Sequence, residues 1–312
     1  MAMDRFTRLR SLLLREWMQH RTGWLVLMVL PSLLMAPLGL FDGEGVQLQL
    51  GGGQLQFDQI SSLPMVLQTL VWTVATTGLA LLLVVLTVLG QRPGLARRDQ
   101  QDRSIEFWRS LPTGHVQAVG ATVLMHLLLL PALALTAALL GAQLVTLLST
   151  VVHQGPLAWL QQPWPLLLAS LLMAVARVWL GLLMAVLWLS PLLLLTMAAS
   201  AWLQRWALPV VTAASVLGVY WLDPRLPQPL LGPACRRIGT EALNALTAPG
   251  LFDGPRRLGQ SGLNELLAGL PMDLLRDCAR VLASAATPAF LATLLGGALG
   301  FALLVLRRQR SD

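Results

Sequence analysis

Long apolar runs constrain the fold of this chain more than any other feature. An α-helix rises 1.5 Å per residue, so about 20 apolar residues cross the roughly 30 Å hydrocarbon core of a bilayer. Several stretches of the 312-residue chain approach or exceed that length. Only 12% of the residues are charged, which is about half the share typical of a soluble domain. The sequence therefore predicts an all-α integral membrane protein and excludes a soluble enzyme and a disordered chain.

Six membrane-spanning helices are predicted from the apolar runs. Arg177 and Arg205 decide how the longest run divides, because a charge at the bilayer centre costs about 2.5–3.5 kcal/mol. A turn near Pro191 leaves both arginines deep in the membrane. A turn at 204–206 places each near an interface, and we prefer it; residues 157–177 then form an interfacial or re-entrant helix. The predicted spans are residues 24–41, 64–90, 116–148, 178–203, 207–222 and 286–306.

Arginine placement predicts the orientation of these spans. The chain has 22 basic residues, all of them arginine, and its segments before span one and between spans two and three carry many of them. The short loops 42–63 and 146–163 carry none. By the positive-inside rule, both termini are expected in the cytoplasm. The assignment is a cytoplasmic interfacial helix at 1–23, a cytoplasmic loop at 91–115, an exoplasmic segment at 223–285 and a cytoplasmic tail at 307–312.

The exoplasmic segment carries an amphipathic stretch and both cysteines of the chain. Apolar residues recur at helical spacing around Leu274 and Leu282, which predicts a helix that lies in the interface or re-enters the membrane before the last span. Cys235 and Cys278 are the two cysteines. In an oxidising compartment they would pair if their Cα atoms lie within about 7 Å of each other. Two free thiols are the alternative.

Catalytic motifs are absent from the sequence. A P-loop requires a lysine, and the chain has none, so any ATP that drives it has to bind to another polypeptide. No acidic residue lies in a predicted span. His126 is the only histidine in a predicted span, and we expect it to act as a polar packing residue against a neighbouring helix. We therefore predict that the chain is not an enzyme and holds no cofactor of its own.

Hydroxyl-bearing and small residues mark candidate packing faces. Gly296 and Gly300 lie four residues apart in span six, a spacing that lets two helices approach closely. A threonine-rich face of span two is also predicted to pack against another helix. The alternative is that this face lines the substrate path. That face carries Thr69, Thr73, Thr76 and Thr77.

The loop between spans two and three carries the most informative motif, RRDQQDRSIEFWRSLPTG at 97–114. Asp99 is a candidate N-cap, and Pro112 ends the predicted helix. Ile105, Trp108 and neighbouring charged residues share this short helix. Exposed aromatic and arginine side chains of this kind are typical anchors in a groove on a partner protein. Lipid headgroups are the other candidate surface.

This layout resembles the permease subunits of exporter-type, type-2 ABC transporters. The string at 97–114 is similar to the coupling-helix segment of that family, and LTMAASAWLQRWALP at 195–209 is similar to its element that closes span four. The resemblance implies six spans with an N-terminal interfacial helix, a cytoplasmic coupling helix and exoplasmic or re-entrant helices before the last span. It also implies a multi-pass location in a bacterial inner membrane.

The resemblance further implies a set of partners. Two permease chains pair as a homo- or heterodimer, and two copies of a separate cytoplasmic ATPase bind ATP and magnesium. The residues expected to contact the ATPase are Asp102, Arg103, Ile105, Glu106, Phe107, Trp108 and Arg109. The net charge of +7 fits cytoplasmic edges and anionic lipid, not nucleic acid. The alternatives are an ion-coupled secondary transporter and a non-transporting membrane assembly protein.

Overall fold

The computed structural model describes residues 5–41, 44–50, 53–59, 65–101, 114–203, 206–225, 227, 231–249 and 260–310. Within the helix at His115–His153, residues Met125–Leu129 form a π-helical turn. The helix at Ala207–Val216 continues as a π-helical turn at Leu217–Leu222 and a 3₁₀ turn at Asp223–Arg225. The elements in chain order are α1 (Arg5–Leu40), β1 (Glu44–Leu50), β2 (Gly53–Gln59), α2 (Met65–Gln101), α3 (His115–His153), α4 (Pro156–Leu160), α5 (Trp164–Leu203), α6 (Ala207–Val216), α7 (Leu231–Thr247), α8 (Gln260–Ser284) and α9 (Pro288–Arg310).

Five helices of the described part of the chain are long and apolar enough to cross a membrane. Their outward faces carry exposed apolar side chains: Leu144 is 66% exposed, Leu172 67% and Leu295 73%. Such exposure is unfavourable in water and favourable against lipid. The predicted short span at 207–222 corresponds to α6 and its π-helical turn and is not among the five. The five are Leu9–Leu40, Leu67–Gln91, His115–His153, Trp164–Leu203 and Pro288–Arg310.

The first helix is longer than predicted. We predicted an interfacial helix followed by a separate span from residue 24, and the structure has one helix of 36 residues, α1. Pro31 and Pro37 lie inside it without ending it. Leu12 and Trp24, on either side of the predicted boundary, are both buried against the bundle. The helix backbone is therefore continuous across the change from arginine-rich to apolar sequence.

A β-hairpin follows α1, in the region that we predicted to be a loop. β1 and β2 are antiparallel, with Val46 opposite Phe57 and Leu48 opposite Leu55. Apolar and polar residues alternate along both strands, which is the pattern of a strand with one apolar face. The hairpin joins the first two spanning helices, and the spanning part of the described chain is helical.

The helices α1, α2 and α3 form one half of the bundle. Trp24 of α1 is 1% exposed, and it packs with small residues of α2 and α3 that let the three helices approach closely. This half is continuous with α5, which contacts both α2 and α3. The buried core residues of this half are Trp24, Ala80, Val84, Met125, Leu130, Ala134, Leu135 and Ala138.

The helix α5 organises the other half. It continues through Ser190 and Pro191 to Leu203, so the chain does not turn at Pro191. It also begins at Trp164, so residues 164–177 belong to the same helix and not to a separate interfacial or re-entrant one. α7 and α8 pack on the middle of α5, where Ala242, Ala245 and Val281 share one hydrophobic cluster with Met184 and Trp188.

α9 packs along α5 in the same direction. The rings of Trp188 and Phe290 have centroids 5.2 Å apart, and further along both helices Arg307 Nε donates to the Ala201 carbonyl oxygen at 3.3 Å. Residue numbers therefore increase together along the pair. A Cβ atom added at Gly300 would lie 2.9 Å from the backbone of Leu194. The predicted packing role of this glycine is confirmed.

Candidate functional site

A buried cluster of ionisable side chains lies between α1 and the π-helical turn of α3. Glu16 is 4% exposed and His126 is 1% exposed. His126 Nε2 lies 3.2 Å from Glu16 Oε2. The ring of His20 packs edge-on against that of His126, with centroids 4.6 Å apart. One ligand atom from each of these three residues lies within 4.8 Å of the others.

The local backbone explains how the three side chains meet. Glu16 and His20 are four residues apart on α1, so they share one face of the helix. His126 lies in the π-helical turn, where Met125 and Leu127 are also buried. A π-helical turn widens the helix locally and is frequent at functional sites. The cluster therefore joins two elements that the chain separates by about a hundred residues.

The second oxygen of Glu16 has partners of its own. Arg15 donates from a terminal guanidinium nitrogen to Oε1 at 2.6 Å, and the hydroxyl of Thr122 donates to the same oxygen at 3.3 Å. His126 Nδ1 is buried and has no hydrogen-bond partner among the described residues. The arrangement leaves Oε2 directed at the imidazole of His126, where it can hold either a proton or a metal ion.

We predicted part of this cluster from the sequence. His126 contacts a neighbouring helix, as predicted for a polar packing residue. The residue that it contacts is Glu16 of α1. We had placed Glu16 in an interfacial helix outside the spans, whereas in the structure it lies within the candidate span Leu9–Leu40. The sequence feature that points to this cluster is the i, i+4 spacing of Glu16 and His20 on a helix whose other charged residues are arginines.

A second buried polar site connects α5 to α7 and α8. Arg177 Nε donates to Asp277 Oδ2 at 2.5 Å, and Arg177 Nη1 donates to the Ala245 carbonyl oxygen at 2.6 Å. Arg177 is 4% exposed and Asp277 3%. Arg280 donates to the other oxygen of Asp277 at 3.1 Å. The sequence predicts Arg177 near a membrane interface. In the structure Arg177 is buried, and the Asp277 carboxylate and the Ala245 carbonyl offset the cost of that burial by accepting its hydrogen bonds.

The two cysteines are free thiols in the structure. Cys278 follows Asp277 on α8, next to the end of α7 that carries Ala245. Cys235 lies near the other end of α7, roughly 15 Å away along the helix axis. The predicted pairing of Cys235 with Cys278 is therefore not formed, because α7 separates the two thiols by most of its length. Burial raises the pKa of the Cys278 thiol.

The predicted threonine face of α2 is turned mainly into the bundle. Thr69 and Thr76 are buried, and the Thr69 hydroxyl donates to the Met65 carbonyl. Thr73 accepts a hydrogen bond from Gln143 of α3 at 3.2 Å. The hydroxyls of Thr76 and Thr77 are buried without a partner among the described residues. These contacts favour helix packing, and a substrate-lining role stays a prediction.

The residues predicted to contact an ATPase lie outside the described part of the chain. These are Asp102, Arg103, Ile105, Glu106, Phe107, Trp108 and Arg109. The structure describes the helix that leads to them. α2 has 37 residues, which is about 55 Å of helix and exceeds the hydrocarbon core of a bilayer.

Comparisons with known proteins return no match. No family model matches the chain, and no curated protein and no solved structure matches it. The five long helices with their exposed apolar faces define the class: the chain is an α-helical membrane protein. Its particular function is inferred from its own residues.

Proposed function

We propose that the chain is the permease subunit of an ABC exporter in a bacterial inner membrane. It lines the substrate path, and a separate ATPase binds and hydrolyses ATP. The observation that carries the proposal is the continuation of α2 beyond its apolar part toward the segment that resembles a coupling helix. The apolar part ends at Gln91, and the helix continues to Gln101.

The length of this continuation suits mechanical coupling. Residues 92–101 add about 15 Å of helix beyond the membrane-spanning part. They include Arg92, Arg97 and Arg98, which favour the cytoplasmic side. Because α2 is continuous from the membrane core to Gln101, a displacement at its Gln101 end reaches the spanning part without a hinge between Gln91 and Gln101.

Parallel packing of α5 and α9 supports six crossings. Two consecutive spanning helices that run in the same direction require the chain to cross the bilayer once more between them. The interval from Leu203 to Pro288 contains the apolar α6 with its π-helical turn, Ala207–Leu222. These residues form about 24 Å of helix, which is somewhat shorter than the roughly 30 Å hydrocarbon core. Six crossings place both chain termini on one side.

The charge at one end of the bundle supports the orientation. Arg307 and Arg310 lie over the ring of Trp202, with distances of 5.7 and 5.5 Å to its centroid. Arginine and tryptophan are typical of the membrane interface, and arginine favours the cytoplasmic one. Arg15 lies toward the same end, because α1 and α9 both contact the first turns of α3. This end is therefore the cytoplasmic end in the proposal.

Co-purification with an identified ATPase tests the proposal. The chain is expressed in its native host with a tag, solubilised and purified, and co-purifying chains are identified by mass spectrometry. We expect a soluble ATPase that carries a P-loop to accompany the wild type. Glu106→Arg and Trp108→Ala are expected to reduce its yield at least tenfold. Purified complex is expected to hydrolyse ATP.

A matched variant separates the coupling segment from general charge effects. Arg236→Glu reverses an exposed charge on α7, in the predicted exoplasmic segment, and is expected to retain the ATPase at wild-type yield. Loss of the ATPase in Arg236→Glu, or its retention in both coupling-segment variants, contradicts the assigned contact. A wild-type chain that purifies from its native host without any P-loop ATPase contradicts the permease proposal.

The buried Glu16–His126 pair favours a second candidate function, an ion-coupled secondary transporter. A carboxylate and an imidazole within hydrogen-bond distance inside a spanning helix bundle form a candidate proton carrier. No acidic residue lies in a span predicted from the sequence, whereas Glu16 lies within the longer candidate span Leu9–Leu40. Proteoliposomes that contain the chain alone test this candidate. Proton uptake or release coupled to solute movement without ATP, abolished in Glu16→Gln, would support it over the ABC permease.

A further inference from the structure

We propose that Glu16, His20 and His126 bind a divalent transition-metal ion, with Zn²⁺ as the best-fitting ion, and that the bound ion ties α1 to α3. The inference goes beyond the proposed function and does not depend on it. It rests on three ligands of two types, one carboxylate and two imidazoles, that belong together in metal chemistry, on their mutual distances and on their burial.

The ligand set fits zinc. Two imidazole nitrogens and one carboxylate oxygen form the protein part of well-known zinc sites, with Zn–N bonds of about 2.0–2.1 Å and Zn–O bonds of about 2.0–2.2 Å. Tetrahedral geometry at these bond lengths separates two ligand atoms by about 3.3 Å. His126 Nε2 and Glu16 Oε2 are 3.2 Å apart. The remaining ligand distances are no longer than 4.8 Å, so a side-chain rotation of His20 completes the site.

The surroundings of Glu16 orient one oxygen for an ion. Arg15 and Thr122 both bind Oε1, which leaves Oε2 for the ion. Ligating carboxylates are commonly held by hydrogen bonds to the other oxygen, and such bonds fix the ligand geometry. The carboxylate is therefore oriented before an ion arrives, and its negative charge offsets part of the charge of the ion.

The ligand chemistry selects among ions. Imidazole nitrogen favours zinc, nickel, copper and cobalt, whereas magnesium and calcium prefer oxygen ligands. One carboxylate and two histidines give too few oxygen atoms for magnesium or calcium. Three protein ligands leave one tetrahedral position open, which water occupies in sites of this kind. Magnesium is therefore the matched negative probe in a binding experiment.

The site is accessible from one edge of the bundle. Glu16 and His126 are buried, whereas His20 is half-buried and is followed by exposed residues at 21–23. His20 is thus the most exposed of the three ligands, and we expect an ion to enter on its side of the cluster. The same position makes His20 the ligand whose substitution disturbs packing least.

Metal titration of the purified chain tests the site. The full-length chain in detergent is stripped with a chelator and titrated with Zn²⁺, with Mg²⁺ as the negative probe, and Co²⁺ absorption reports tetrahedral nitrogen and oxygen coordination. We expect one Zn²⁺ per chain and no Mg²⁺ binding. His20→Gln, His126→Gln and Glu16→Gln are each expected to weaken Zn²⁺ binding at least about tenfold. His153→Gln, at the other end of α3, is expected to match the wild type.

Two readouts separate loss of a ligand from loss of the fold. Size-exclusion profiles and thermal midpoints without metal show which variants are folded, and His20→Gln is decisive if the two buried substitutions unfold the chain. Zn²⁺ is expected to raise the thermal midpoint of the wild type and of His153→Gln but not of His20→Gln. Wild-type binding that equals that of His20→Gln, or no Zn²⁺ binding by a folded wild type, overturns the site.

Discussion

Arg177 of α5 and Asp277 of α8 are 100 positions apart in the chain, and their side chains form a buried ion pair with Nε and Oδ2 2.5 Å apart. The pair connects a spanning helix to the segment that precedes the last span. Both side chains are almost fully buried, and the Ala245 carbonyl accepts a further hydrogen bond from the guanidinium. The ion pair therefore holds α8 against α5.

Breaking this ion pair is expected to destabilise the protein strongly. Removal of Asp277 leaves the Arg177 guanidinium as an uncompensated buried charge, which typically costs about 3–5 kcal/mol. Removal of Arg177 leaves the buried Asp277 carboxylate with the ion pair to Arg280 alone. Arg177→Met and Asp277→Leu are each expected to lower the thermal midpoint in detergent, and the double variant is expected to recover much of the loss. Arg276→Ala is the control, because Arg276 pairs with Asp273 through a side chain that is 72% exposed and such pairs contribute under about 1 kcal/mol. Equal effects of Arg177→Met and Arg276→Ala would contradict the structural role.

Close packing of α9 on α5 is expected to make Gly300 intolerant of any side chain. A Cβ atom there would lie 2.8 Å from Leu194 Cβ and 2.9 Å from the Leu195 amide nitrogen. Backbone atoms cannot rotate away, so Gly300→Ala is expected to cost about 1–3 kcal/mol. Gly78→Ala meets nothing within 4 Å and is expected to be neutral or to stabilise α2 by up to about 1 kcal/mol. Thermal unfolding of both variants in one detergent measures the difference.

Two threonines of α2 are expected to respond differently to valine. Thr76 has a buried hydroxyl without a partner among the described residues, so Thr76→Val removes an unsatisfied polar group and is expected to be neutral or stabilising. Thr73 accepts a bond from Gln143, and Thr73→Val is expected to cost about 1 kcal/mol. Unfolding measurements compare the two. A Thr76→Val chain that is folded and stable but fails to transport would favour the substrate-lining alternative.

The two thiols are expected to differ in reactivity. Burial raises the pKa of Cys278, and the thiolate is the reactive form. At a pH between the ordinary thiol pKa and the raised one, less of Cys278 is ionised, so it is expected to react with iodoacetamide more slowly than the exposed Cys235. The rate at Cys278 is expected to keep rising with pH above the ordinary thiol pKa. Mass spectrometry of timed samples measures both sites, and equal rates in folded protein would contradict the burial of Cys278.

Asp223 is expected to stabilise the start of α7. Its two carboxylate oxygens accept hydrogen bonds from the backbone amides of Leu231 at 2.7 Å and Gly232 at 2.8 Å. These amides have no partner inside the helix, so Asp223→Ala is expected to cost about 0.5–2 kcal/mol. Asp223→Asn retains one acceptor and is expected to lose less. A thermal midpoint of Asp223→Ala equal to that of the wild type would contradict the capping role.

Local composition was sufficient to locate the long apolar helices. Predicted spans 64–90, 116–148 and 286–306 each fall within or nearly within a single helix of the structure, because the length and polarity that a bilayer demands are readable from consecutive residues. Helix ends were less predictable. α1 begins at Arg5 and α5 at Trp164, well before the predicted starts at 24 and 178. A helix can continue without a break where its surroundings change from water or interface to lipid.

Contacts between distant helices were not readable from one chain. The contacts of Glu16 with His126 and of Arg177 with Asp277 depend on how each helix is rotated about its axis and how far neighbouring helices are offset along their axes. Those two quantities depend on how small residues such as Gly300 and Ala138 fit against their neighbours. Apolar runs and arginine placement therefore determine that the chain is a helical membrane protein, whereas side-chain packing between helices decides which polar groups become buried together.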